Sequence, residues 1–320
     1  MSDGKVEKPF RQRNIISRKN ILISLVIVLL FFGSYSYDSI KNNEIKERLP
    51  QLIALYGKNE VDNKILNRNS WNILNNLALA QGMGPSEPQG PSEFETDYLW
   101  FSNNPSTKKV LILGNSHSKD LFNALYLNKE FFPDLEFARF GMANVFFPYQ
   151  VNSFFKSPNF INADVVIIAF RYGDITVERL SNFIKAIQEE SKDVVLVLSI
   201  SEFDDLNGKP IFDGYIESLI KNQTTSDERP AFSSDDLKKL FFDMQGDTKD
   251  GINQSLREIA NAHNIFVLNK MDFICDIPAG TCDGITDEGY KAFFDYGHFT
   301  LEGAEYFGRR IHELNWLVLE

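Results

Sequence analysis

From residue 108 onward, short and almost wholly apolar runs alternate with longer amphipathic stretches. The runs at 110–113, 137–140, 164–170, 194–200 and 265–268 are each four to seven residues long and lean on Val and Ile. They lack the in-out alternation of a half-exposed strand, which predicts parallel strands covered on both faces. Between them, residues 176–191 bring Val177, Leu180, Ile184 and Ile187 onto one helical face, and residues 250–262 do the same with Ile252, Leu256 and Ile259. A last helix starts at Thr300, a good N-cap, and places Leu301, Ala304, Phe307, Ile311 and Leu314 on its inner side. Alternating β and α segments predict an α/β domain over residues 105–320, a three-layer α/β/α sandwich around a parallel sheet. Functional loops in such a sheet gather at the carboxyl ends of the strands.

The amino end follows another pattern. Residues 21–32 are apolar with a single Ser, and Lys5, Lys8, Arg11, Arg13, Arg18 and Lys19 precede them. As a helix, residues 20–36 would measure about 25 Å, enough to cross a ~30 Å hydrocarbon core with Tyr35 and Tyr37 at the interface. The basic flank then stays inside. The expectation is a cytoplasmic tail (1–19), a transmembrane signal anchor (20–36) and an extracytoplasmic body, periplasmic or extracellular. Ser34 and Ser36 keep a cleaved signal peptide open as the alternative. Residues 37–104 are expected to form a helical stalk, with helices at 44–56 and 70–80, followed by a Gly/Pro-rich linker at 81–92.

Composition narrows the partners. The net charge of the 320 residues is −11, and residues 1–20 hold six basic and two acidic side chains, so the rest carries −15. Such a body does not bind nucleic acid through its surface. The only cysteines, Cys275 and Cys282, rule out an N-terminal lipidated cysteine. Outside the cytoplasm they could close a small disulfide loop; two separate thiols are the other reading. No His lies near them, and no His/Cys/Asp cluster has metal-ligand spacing, so neither metal nor cofactor is expected.

Two short motifs carry chemistry. Strand 110–113 runs through Gly114 and Asn115 into Ser116, His117 and a helix. A serine at such a turn lifts its hydroxyl to the sheet edge, where the helix N-terminus offers N–H groups to an oxyanion; helix capping is the plain alternative. Near the carboxyl end, Asp295 and His298 stand three apart just before the last helix. A serine hydroxyl needs an adjacent base, and imidazole oriented by a carboxylate supplies one.

Together, Gly114-Asn115-Ser116-His117, the Cys275/Cys282 pair and the block from Asp295 through His298 to Ala304 resemble the SGNH hydrolase/acyltransferase superfamily. The resemblance covers residues 105–315 and is strongest to the SGNH domain fused to membrane acyltransferase-3 proteins, which O-acetylate surface polysaccharides. It implies a flavodoxin-like sheet, with Ser116 as nucleophile, His298 as general base and Asp295 as its orienting carboxylate. It also implies an oxyanion hole made by the N–H groups of Ser116 and Gly141. Asn115, His117, Asn144 and Arg171 are secondary substrate-contact candidates. Two departures stand out: Asn115 replaces the usual aspartate, and the block after the third strand, Phe170 to Asp174, lacks its usual Asn. Arg171 is the residue that would fill that place, unless it serves a structural ion pair.

The resemblance implies a serine-dependent O-acyltransferase, in particular an O-acetyltransferase, modifying a cell-envelope polysaccharide through an acyl-Ser intermediate. Its partners would be the glycan acceptor and a multi-span membrane acyltransferase as acyl donor. A carbohydrate or lipid esterase using the same three residues is one alternative. A non-catalytic envelope glycan-binding module is the other.

Overall fold

The structure, a computed structural model, describes residues 57–85, 91–143, 147–200, 202–223, 232–246 and 250–319. The expected tail, membrane span and helix at 44–56 lie outside them, as does Asn144. Among the described residues no helix is long and apolar enough to cross a membrane.

The five apolar runs form one sheet. Its strands are β1 (Lys108–Gly114), β2 (Leu135–Gly141), β3 (Val165–Ile168), β4 (Asp193–Val197) and β5 (Phe266–Leu268), in the order β2-β1-β3-β4-β5. Every pairing is parallel, as continuous apolar runs require. This is the flavodoxin-like order, whose switch point lies between β1 and β3. The described helices are α1 (Asn63–Asn69), α2 (Asn72–Ala80), α3 (Glu93–Asp97), α4 (Ser116–Leu127), α5 (Phe147–Lys156) and α6 (Pro158–Asn162). They continue with α7 (Asp174–Glu189), α8 (Ile211–Gln223), α9 (Ser234–Asp243), α10 (Asp250–His263), α11 (Met271–Ile274) and α12 (Leu301–Glu313).

Leu111, Leu113, Val166, Ile168 and Leu196 point to one face, where α5, α6, α7 and α10 cover them with Phe154, Phe160, Leu180, Ile184, Ile187 and Leu256. The alternate residues Val110, Ile112, Ile167 and Val197 are fully or almost fully buried on the other face. There α4 packs against α12. Gly308 makes that approach possible, because a Cβ on it would lie 2.1 Å from the Ala124 carbonyl oxygen. On α12, Ala304, Phe307 and Ile311 are buried as the pattern predicts. Leu314 is half exposed instead, because it is the C-cap at which the helix has already ended. Cys275 and Cys282 are joined by a disulfide across a two-stranded hairpin, β6 (Cys275–Asp276) with β7 (Thr281–Cys282).

The segment expected as helical stalk and linker packs on the rest of the domain where it is described: residues 57–85 and 91–104 fall within the compact unit Leu55–Glu320. The reason is polar and buried. Lys119, on α4, is 1% exposed, and its ammonium donates to Ser70 Oγ at 2.6 Å and pairs with Asp120 at 2.9 Å. Asn123 Nδ2 donates to the Ser70 carbonyl at 2.7 Å. Lys291, equally buried, bonds to Asn63 Oδ1 at 2.8 Å and to Asp213 at 2.7 Å, while its N–H donates to Asn59 Oδ1 at 2.6 Å. Amphipathic periodicity shows apolar faces; it does not show that polar side chains on and beside α1 bond to lysines 49 and 228 residues away.

Stripping a partner from a buried ammonium is costly. Ser70→Ala is therefore expected to lower unfolding stability by about 1.5–3 kcal/mol in urea. A chain starting at residue 91, without Asn59, Asn63 and Ser70, is expected to lose its cooperative thermal transition.

Candidate active site

The site is assembled at the carboxyl ends of β1, β2 and β3. β1 stops at Gly114, whose φ of +151° is glycine territory and whose Cβ, if present, would lie 2.0 Å from the Ala169 carbonyl oxygen. Asn115 follows as the N-cap of α4. Its Oδ1 accepts the N–H of His117 at 3.2 Å and the N–H of Arg171 at 3.0 Å, and its Nδ2 donates to the Arg171 carbonyl at 3.4 Å. An aspartate could accept the first two but could not donate the third. The amide thus pins the nucleophile turn to the loop after β3. Residues 165–168 of the expected strand 164–170 pair with β1, the Ala169 N–H still reaches the Leu113 carbonyl at 2.8 Å, and the backbone of Arg171 bonds Asn115.

Ser116 opens α4, so its N–H has no intrahelical acceptor and sits at the positive end of the helix. Its Oγ is 2.7 Å from His298 Nε2, a contact across 182 positions of sequence. His298 Nδ1 lies 2.8 Å from Asp295 Oδ2 and 3.0 Å from Oδ1. Asp295 Oδ1 also accepts the N–H groups of Gly297 at 3.1 Å and His298 at 2.9 Å. Burial alone would raise the Asp295 pKa, but these hydrogen bonds and the adjacent imidazole outweigh it and hold the carboxyl below its ordinary value. The His298 ring stacks on Phe294, 5.6 Å away at 9°, with Tyr296 edge-on at 5.1 Å. Burial lifts the Tyr296 phenol to about 12, so it stands beside the imidazole uncharged. The loop itself is closed by a bridge between Phe293 and Phe299 and by Thr300, whose hydroxyl caps α12 and donates to the Lys291 carbonyl at 2.6 Å. Hydroxyl, imidazole and carboxylate in this chain can pass a proton from Ser116 to His298 while Asp295 holds the ring and balances its charge.

A buried ion pair braces the turn from behind. Arg139 on β2 and Glu95 on α3 are 1% and 0% exposed and share a short hydrogen bond between Nη1 and Oε1. Arg139 also reaches Ser118 Oγ at 3.0 Å and the carbonyls of Asn115 at 3.3 Å and Gly114 at 3.4 Å. Glu95 Oε2 accepts the N–H of Ser92 at 2.8 Å. Sequence reasoning missed both residues. The one available signal was a lone arginine inside an otherwise apolar strand, which must find a carboxylate or remain unpaired at great cost.

Three of the expected contacts change. Gly141 is not a free oxyanion donor, because its N–H donates to Glu95 Oε1 at 3.1 Å; the next amides, Met142 and Ala143, are spent on the Gly114 carbonyl and Gln150 Oε1. His117 is 2% exposed, so its ring lies behind the site and does not present itself to a substrate. Arg171 is at the exposed rim, but its guanidinium grips Glu202 through two bonds of 2.7 and 2.8 Å and lies over the Tyr296 ring. That is the structural ion pair, reinforced by an aromatic face. Among the described residues no group of His, Cys, Asp and Glu is arranged to hold a metal ion.

Comparison with known proteins identifies the family of the chain. No curated protein sequence matches the chain. Several solved structures are similar, at low identity. The periplasmic domain of a lipopolysaccharide acetyltransferase from Salmonella ser. Paratyphi A is 13% identical with a TM-score of 0.48, over 69% of this chain and 91% of that one. A lipase/acylhydrolase from Enterococcus faecalis is 16% identical with a TM-score of 0.35, over 65% and 95%. An acetyl xylan esterase from Geobacillus stearothermophilus is 12% identical with a TM-score of 0.36, over 67% and 98%. The model of the SGNH domain (fused to AT3 domains) matches residues 86–313. The chain therefore belongs to the SGNH domain family in its AT3-associated form and is an enzyme of the SGNH type.

Proposed function

We propose that this protein is a serine-dependent O-acyltransferase that moves an acyl group, in particular acetyl, onto a hydroxyl of an extracytoplasmic polysaccharide. The observation that carries the reading is the continuous chain Ser116 Oγ, His298 Nε2, His298 Nδ1, Asp295 Oδ2 at a helix N-terminus, in a chain of the AT3-associated family. Ser116 gives its proton to His298 Nε2 as Oγ attacks the acyl carbonyl carbon. The resulting oxyanion faces the Ser116 N–H and the first turn of α4. Collapse releases the donor's oxygen, which takes the proton from His298 and leaves acyl-Ser116. A sugar hydroxyl then loses its proton to His298, attacks the ester and restores the serine. Asp295 remains a carboxylate throughout and stabilises the imidazolium in both half-reactions.

The disulfide fits an oxidising compartment outside the cytoplasm, and the basic N-terminal flank and apolar run fit a chain anchored with its body on that side. A membrane acyltransferase of the AT3 type would deliver the acyl group, since common activated acyl donors are made inside the cell. Transfer is preferred to hydrolysis because the matching family is the one associated with AT3 domains. Acetate release at the same rate with and without a polysaccharide acceptor would reverse that preference.

Ser116→Ala is expected to lower transfer to a polysaccharide acceptor by at least about 10³-fold, with folding retained. The acetyl content of envelope polysaccharide should fall with it; unchanged acetylation in such cells would end the enzymatic reading. Asp295→Asn should reduce kcat by about 10³–10⁴-fold, because the ring loses the acceptor that sets its tautomer. The sign of the pH effect follows from the depressed carboxyl. Its contribution to stability is complete above the ordinary value of 3.8 and is lost as pH falls through the lower folded value. The Asp295→Asn defect should therefore persist at every pH from mildly acidic to alkaline in a kcat profile, since the wild-type carboxylate stays ionised over that range.

A further inference from the structure

Behind Ser116 lies a group of buried ionisable side chains that the proton relay does not use. His117, Lys119, Asp120 and Asn123 on α4, and Lys270 at the start of α11, are each 2% exposed or less. The His117 ring packs against His298 with centroids 5.0 Å apart at 43°. Its Nε2 is buried and meets no hydrogen-bond partner among the described residues. Lys270 Nζ donates to the His117 carbonyl at 3.0 Å. Lys119 Nζ lies over the ring of Phe294, 5.5 Å away, on which His298 itself stacks. Two ammonium groups thus flank the two rings.

We propose that His117 is a positioning residue for His298: a buried ring that backs the catalytic imidazole, with the Lys270 ammonium bonded to its backbone carbonyl, and that leaves His298 as the only imidazole at the site able to take the serine proton. The reading rests on the proposed relay. Two imidazoles in van der Waals contact compete for a proton, and a charged His117 would oppose the imidazolium that His298 becomes during the reaction. The structure removes that competition in two ways. Burial disfavours a charged His117, and Lys270, His298, Arg171 and Lys119 act in the same direction, so its pKa is lowered well below the ordinary value. The neighbouring acids are committed elsewhere: Asp120 to Lys119, Asp295 to His298 and Glu202 to Arg171. Tyr296, the other titratable group facing the rings, is an uncharged phenol. Burial brings Lys270 down to about 8, with Asp120 partly opposing the drop. Its cation is therefore in place at neutral and acidic pH, where His117 would otherwise gain a proton.

The test is imidazole nitrogen NMR of the whole chain as a function of pH, with His117→Phe used to assign the His117 signals. In the wild type, His117 should show no titration over the range in which free imidazole titrates. Lys270→Met leaves the burial of His117 in place but removes the cation next in influence, so it should move the His117 titration upward and make kcat/KM on an activated acetyl ester fall about tenfold further on acidification than in the wild type, a one-unit movement of the acid limb. Lys270→Arg should restore the wild-type limb. A merely structural lysine would lower kcat or the melting temperature alike at every pH and leave the His117 titration alone. Ordinary titration of His117 in the wild-type protein, a result that needs no variant to fold, would overturn the proposal. So would a Lys270→Met protein in which the His117 titration has not moved upward. A wild-type chain with a silent His117 but no activity on any acyl ester would instead count against the proposed function.

Discussion

The hydrogen bond between Ser116 and His298 depends on how closely α12 can approach α4. The serine is the first residue of one helix and the histidine stands just before the other, so the position of both atoms follows from that helix pair. Gly308 fits against the Ala124 carbonyl with no room for a methyl group, and Asn128 Nδ2 bonds both the Ala124 and Glu305 carbonyls, at 2.8 and 3.0 Å. A helix contact this close transmits register: a shift of 1 Å between the helices would break a 2.7 Å contact at their ends. Thr300, capping α12 and bonding Lys291, then fixes where the helix begins and hence where His298 is presented.

Against this rigid frame, the polar interior is unusually ionic. Arg139 with Glu95, Lys119 with Asp120, and Lys291 with Asp213 are pairs in which at least one member is almost fully buried. Replacing such pairs with apolar residues is often neutral or stabilising, so stability alone does not account for them. Their placement does. Arg139 holds the carbonyls of the Ser116 turn, Lys119 and Lys270 face the two histidines, and Lys291 anchors the start of α12. Arg139 and Lys270 donate to backbone carbonyls that an apolar side chain would leave without a donor, and Lys119 and Lys291 tie Ser70, Asn63 and Asp213 to the loops around the site.

The legibility of the sequence follows the same division. The parallel sheet and the helix faces were readable because burial on both faces leaves a composition signal at each position of 110–113 or 194–197, whereas the flavodoxin-like strand order was implied only by the family resemblance. Ser116, Asp295 and His298 were readable because their chemistry restricts residue type and their loops sit beside strand or helix boundaries. What stayed hidden was the partner of each buried charge. Glu95 meets Arg139 across 44 positions, and Ser70 meets Lys119 across 49, with no periodicity linking them. For that reason the segment carrying Ser70 and Glu95 looked like a stalk and linker. Gly141 was misjudged for a related reason: a glycine at a strand end suggests a free amide, and only the unseen carboxylate shows it to be occupied.

The amide at Asn115 ties these threads to the chemistry. A carboxylate there would put a negative charge one residue before Ser116, beside the place where the proposed reaction develops an oxyanion on the substrate, and would remove the Nδ2 donor to the Arg171 carbonyl. With Gly141 committed to Glu95, fewer N–H groups remain to stabilise that oxyanion, so a nearby negative charge would be harder to offset. A neutral Asn115 avoids that repulsion while keeping both of its accepted bonds. The substitution that departs from the usual family pattern is thus consistent with a site that relies on the Ser116 N–H and the α4 dipole more heavily than on a second backbone donor.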